Sequence, residues 1–113
     1  MVTIFHNPRC RKSRETLAIL HGKGKQIHIR EYLKEPPSRE ELQEVISLLG
    51  VRPFRIVRKN EAEYKDNFKG KDLTDEQWLD ALITYPKLIE RPIVIYEKRA
   101  VIGRPPENVN EIL

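Results

Sequence analysis

The sequence predicts an α/β fold: a mixed four-stranded sheet flanked by helices, with a helical insertion between a βαβ half and a ββα half. Three features predict it. Strand-like runs occur near both ends of the chain, at residues 2–6, 26–32, 92–96 and 100–102. The first two are separated by a helix-length segment, which lets them run parallel, whereas the last two are joined by Glu97-Lys98-Arg99 as an antiparallel hairpin. Between the pairs, residues 53–86 read as mostly helical. The 113 residues suit one domain, 1–113, with one core.

The first strand is Val2-Thr3-Ile4-Phe5-His6. A helix over 11–21 follows, and Gly22 and Gly24 mark its end. Residues 26–32 partly alternate and form the second strand, which Pro36-Pro37 closes off. Ser38 and Glu41 then make a capping box, in which hydroxyl and carboxylate each satisfy an amide at the helix start. Leu42, Val45, Ile46 and Leu49 follow at helical spacing, and Gly50 stops the run. In the insertion, Phe54 to Arg58 suggests a short helix, and Tyr64 and Phe68 are apolar anchors in a polar stretch. Thr74 and Gln77 form a second capping box before Trp78, Leu79, Ala81, Leu82 and Ile83. Pro92 opens the third strand, where a missing N–H is tolerated. Gly103 ends the fourth, and Pro105-Pro106 opens a last helix with Val109, Ile112 and Leu113 on one side.

The composition, 39% hydrophobic and 34% charged, is that of a soluble globular chain. No apolar run reaches membrane-spanning length and no signal peptide is expected, so no membrane partner is predicted. The net charge of +4 admits three readings: nucleic-acid binding, a solvated basic surface, or a local pocket for a small oxyanion. The 17 acidic residues, interleaved with 21 basic ones, favour the solvated surface on composition alone and give no reason to expect nucleic acid.

Cys10 is the single cysteine, which excludes an intrachain disulfide and fits a reducing compartment, most simply the cytoplasm. It lies at a strand-to-helix turn, where free amide groups and partial positive charge favour a thiolate. Arg9, Arg11, Lys12 and Arg14 add full charges, which predicts a depressed thiol pKa and a reactive sulfur. The competing reading is an inert cysteine in a core. Position 13 is serine, so there is no Cys-x-x-Cys pair. His21 and His28 show no ligand spacing with each other or with Cys10, so no metal is expected, and no glycine-rich phosphate loop suggests a nucleotide. A thiol after the first strand and a proline opening the third are features of a thioredoxin-like fold.

Five segments, in order, carry a resemblance over essentially the whole chain. They are His6-Asn7-Pro8-Arg9-Cys10 with Ser13-Arg14; Tyr32-Leu33 before Pro36-Pro37-Ser38; Val57-Arg58-Lys59-Asn60; Leu88-Ile89-Glu90-Arg91-Pro92-Ile93-Val94; and Gly103-Arg104-Pro105-Pro106-Glu107. The chain resembles the ArsC family of glutaredoxin-coupled arsenate reductases, its shorter bacterial members included. The resemblance implies that Cys10 attacks arsenate or a similar oxyanion, that Arg58, Arg91 and Arg104 hold that oxyanion, and that His6 tunes the thiol. It also implies a cis peptide before Pro92, with Ser13 as a supporting residue on the Cys10 backbone or sulfur. Glutathione would be a co-substrate and glutaredoxin the partner that resolves the mixed disulfide, with no tightly bound cofactor and a monomeric protein. Two rivals accompany this reading: an Spx-like regulator that binds RNA polymerase, and a thiol oxidoreductase with another substrate. A phosphatase-like arsenate reductase is disfavoured, because its anion loop needs an arginine six positions after the cysteine and position 16 is threonine.

Overall fold

A computed structural model describes all 113 residues. The chain divides into two compact units, one formed by Met1–Glu35 with Arg91–Leu113 and the other by Pro36–Glu90. The first holds the whole sheet, in strand order β2-β1-β3-β4. Strands β1 (Val2–Phe5) and β2 (Ile27–Arg30) are parallel, joined through helix α1 (Arg11–Gly22). Strand β3 (Ile93–Tyr96) runs antiparallel to β1 and to β4 (Arg99–Ile102). This is a thioredoxin-like α/β sheet, with the predicted mix of parallel and antiparallel pairs.

Central strands β1 and β3 are the most apolar, and Val2, Ile4, Ile93 and Val94 are fully buried. Leu20 of α1, together with Val109 and Ile112, covers Val2, Ile4 and Val94 to form this unit's core. On hydrophobic grounds each such side chain contributes about 1.5–3 kcal/mol. The hairpin turn is tighter than expected: Arg99 already belongs to β4, and Glu97 adopts φ 57° to close a two-residue connection. The second strand is shorter than expected, ending at Arg30, and Tyr32 instead buries its ring against Phe5 at 6.5 Å. The last segment is a 3-10 helix, Pro106–Glu111, rather than a regular α-helix.

The second unit is helical. Helix α2 (Arg39–Leu49) starts at the predicted capping box, with both Ser38–Glu41 hydrogen bonds formed, and ends at Gly50 with φ 70°. The expected short helix is a 3-10 helix, Pro53–Ile56, which ends before Val57 and Arg58. Helix α3 (Ala62–Asn67) and helix α4 (Asp75–Thr84) follow, the latter capped by Thr74 and Gln77 as predicted. Trp78 is the hub, in ring contact with Phe54, Tyr64 and Phe68. The helical block expected at 53–86 is thus the later part of a larger unit that α2 shares.

Candidate active site

Register explains which residues meet. Phe5 pairs with Ile93, and Ile93 pairs with Ile102. The end of β1, the start of β3 and the end of β4 therefore lie at one end of the sheet. The loop carrying Cys10 leaves β1 there, Arg91 lies two residues before β3, and Arg104 lies two residues after β4. The Gly103 N–H donates to Pro92 O at 2.9 Å, extending the hairpin to the arginines.

The chain turns at Asn7-Pro8-Arg9. The Asn7 carboxamide accepts the Arg9 N–H at 3.0 Å, and the Cys10 N–H donates to Asn7 O at 2.9 Å. Cys10 is extended, with φ −93° and ψ 122°, and is the N-cap of α1. Its carbonyl accepts the first helical bond, from Arg14 N–H at 3.0 Å. The sulfur thus stands where a helix start leaves amides without intrahelical partners. It forms no closed side-chain cap bond in the helix geometry, yet the nearby Ser13 N–H still acts on it electrostatically.

Arg104 is fixed from two sides: its Nε donates to Arg91 O at 2.7 Å, and its Nη2 reaches Cys10 Sγ at 3.4 Å. The Arg91 side chain also hydrogen-bonds the sulfur. Burial, with only 7% of Cys10 exposed, pushes the thiol pKa up. The Ser13 N–H, the Arg91 hydrogen bond, and the charges of Arg91 and Arg104 outweigh it, so the thiol sits below its ordinary value. Two guanidinium groups beside a thiol of lowered pKa form an arrangement that can receive a tetrahedral oxyanion and offset its charge under attack.

The ArsC family model matches residues 5–112. The chain belongs to the ArsC family. It is similar to the "Arsenate reductase" of Haemophilus influenzae, with 46% identity over 99% of this chain and 98% of that protein. It is also similar to the Escherichia coli K12 "Uncharacterized protein YfgD", with 42% identity over 99% of this chain and 96% of that one. Among solved structures, "Arsenate reductase from Vibrio cholerae" superposes with a TM-score of 0.93 at 46% identity, covering 99% of this chain and 97% of that one.

In this ArsC-family chain the sequence neighbours of Cys10 do not play the part expected of them. The groups that lower the thiol pKa are Ser13, Arg91 and Arg104. Arg9 is exposed, Arg11 pairs with Glu15 at 2.9 Å, and Arg14 donates to Pro8 O at 3.0 Å. Sequence adjacency placed these charges near the sulfur in number but not in direction.

His6 stands behind this turn. It is buried, and its Nδ1 lies 2.6 Å from Ser13 Oγ, while the Asn7 N–H donates to the same oxygen at 3.1 Å. Ser13 Oγ is thus shared by the imidazole and the Asn7 amide. Burial holds His6 below its ordinary pKa, opposed by Glu31 and helped by Arg14. The Ser13 hydroxyl meets His6 and Asn7, while its backbone amide acts on the sulfur. The seven-residue spacing gave no signal of this His6–Ser13 contact.

The Arg91–Pro92 peptide is cis, and so is Arg104–Pro105, the latter not anticipated. Arg58 belongs to the helical unit. Its N–H donates to Leu88 O at 2.8 Å, beside the Val57–Ile89 bridge, and its side chain lies 3.4 Å from Glu61 and 3.5 Å from Glu90. No group of three or more His, Cys, Asp and Glu side chains is placed to hold a metal ion. No helix is long and apolar enough to cross a membrane.

Proposed function

We propose that the protein is an oxidoreductase that reduces arsenate to arsenite through Cys10, with glutathione and glutaredoxin as external reductants. The observation that carries the reading is the Cys10 sulfur facing Arg104 at 3.4 Å, with Arg91 hydrogen-bonded to it, in a chain of the ArsC family. The Cys10 thiolate displaces one arsenate oxygen, which leaves as water after protonation, and a sulfur–arsenic(V) bond forms. A glutathione thiolate then attacks the Cys10 sulfur. The sulfur–arsenic bonding pair passes to arsenic, which departs as arsenite, and a Cys10–glutathione disulfide remains. A glutaredoxin thiolate takes the glutathione by thiol–disulfide exchange and restores the Cys10 thiolate. Two electrons reach arsenic and two thiols become one disulfide, so the sequence balances.

Arg91 and Arg104 bind the oxyanion and stabilise the charge that gathers in the transition state. Arg58 enters this proposal on the family resemblance alone. A single cysteine cannot close an internal disulfide, so an external thiol completes the cycle, as a monomeric cytoplasmic protein would require. Arsenite formation with glutathione and glutaredoxin is expected for the wild type and abolished in Cys10→Ser. Equal turnover by the two proteins removes the nucleophile from the reading.

A further inference from the structure

Behind the arginines, three segments of the sheet unit meet at one atom-sized gap. Gly103 is buried, and its φ lies outside the left-handed region, so conformational freedom does not call for glycine there. Space does. A Cβ on Gly103 would stand 2.7 Å from Thr16 Oγ1, 2.8 Å from Pro92 Cγ and 3.1 Å from Thr16 Cγ2. Thr16 belongs to the helix that Cys10 caps, Pro92 directly follows Arg91, and Gly103 directly precedes Arg104.

Thr16 is a polar side chain with no exposed surface. Its hydroxyl donates to Lys12 O at 2.8 Å and stands 3.5 Å from Gly103 O. The bond to its own helix fixes the rotamer, which β-branching already restricts. Thr16 therefore presents a rigid wall, and the Gly103 backbone rests on it.

We infer that Thr16 and Gly103 are positioning residues whose contact sets how closely Arg91 and Arg104 approach the Cys10 sulfur. The helix carrying the nucleophile and the hairpin ends carrying the cations have only a hydrogen atom's room between them at this point. A methyl group there moves one against the other by tenths of an ångström or more. Charge-assisted contacts at hydrogen-bond range weaken over such displacements, and reacting groups lose alignment.

The inference deepens the arsenate reading, but its first readout needs no arsenate. The pH midpoint of Cys10 alkylation by iodoacetamide reports the thiolate directly. Gly103→Ala is expected to raise that midpoint by about one pH unit, toward the free-thiol value, and to lower kcat/KM for arsenate about tenfold or more. Adding Thr16→Ala removes two of the three crowded atoms and should restore part of both. A Gly103→Ala protein that melts earlier but keeps its alkylation midpoint overturns the inference, since a purely structural contact behaves that way. Should Gly103→Ala fail to fold, Thr16→Ala alone decides. It loosens the contact from the helix side and is expected to raise the midpoint, and an unchanged midpoint again overturns the inference. Failure of the arsenate reading would show differently, as shifted thiol midpoints in a protein that makes no arsenite.

Discussion

Cys10 and its guanidinium neighbours separate two kinds of proximity. Arg9, Arg11, Lys12 and Arg14 are close in sequence, yet Arg91 and Arg104, over 80 positions away, act on the sulfur. Arg91→Ala and Arg104→Ala should each raise the alkylation midpoint, whereas Arg11→Ala, already paired with Glu15 at the surface, should leave it in place. The lowered thiol pKa also has a sign in stability. Between the folded and unfolded pKa values, the unfolded chain holds a proton that the folded chain has released, so stability rises with pH. The contribution is complete above the unfolded value of about 8.5 and is lost as pH falls through the folded one. Wild type should therefore gain stability over Cys10→Ser as pH climbs toward about 9 in chemical denaturation, and a constant difference across that range contradicts the assignment. Ser13→Ala strips the shared oxygen from both His6 Nδ1 and Asn7 N–H. A buried imidazole and a half-buried amide then lose their partner, at a cost of about 1–3 kcal/mol, measurable as a lower denaturation midpoint.

At the scale of elements, the sequence was most legible where the whole signal is local. Each capping box spans four residues and names its own start, and Ser38–Glu41 and Thr74–Gln77 both form as read. Ser38→Ala should lower stability by about 1 kcal/mol, with Ser38→Asn closer to wild type, in thermal melts. The apolar stripe of α2 was equally legible, with Leu42, Val45 and Ile46 buried. Element ends were less so. The strand read through Tyr32 stops at Arg30, because Tyr32 is turned into the unit's interior against Phe5. The last helix stays 3-10, its amides bonding three residues back, Asn108 N–H to Pro105 O and Ile112 N–H to Val109 O. The Asn108 side chain then secures the segment to Ile102 O and Arg104 O, contacts that no periodicity announces.

For the molecule as a whole, topology was readable because connection lengths decide strand direction: a helix between β1 and β2, two residues between β3 and β4. The division between units was not, since α2 carries the same amphipathic pattern whichever unit it joins. Site membership likewise depended on register. Arg91 and Arg104 are neighbours only because the hairpin pairs Ile93 with Ile102, and the motif resemblance singled them out before any periodicity could. Their shared charge makes a test of the oxyanion reading that involves no reduction. Sulfate is tetrahedral and inert to the thiol, so its binding reports the cations alone. A ligand that binds the folded state stabilises it by RT ln(1 + [L]/Kd), about 2.7 kcal/mol at a hundredfold excess over Kd. Arsenate and sulfate should therefore raise the Tm with concentration, while chloride at matched ionic strength, which only screens, should not. Cys10→Ser should keep the sulfate effect, because both arginines remain. Arg91→Ala and Arg104→Ala should each lose most of it, and Arg58→Ala should weaken it if the third arginine of the resemblance takes part. A regulator that binds RNA polymerase has no need of such a response, and a Tm indifferent to both anions would turn the reading toward that rival.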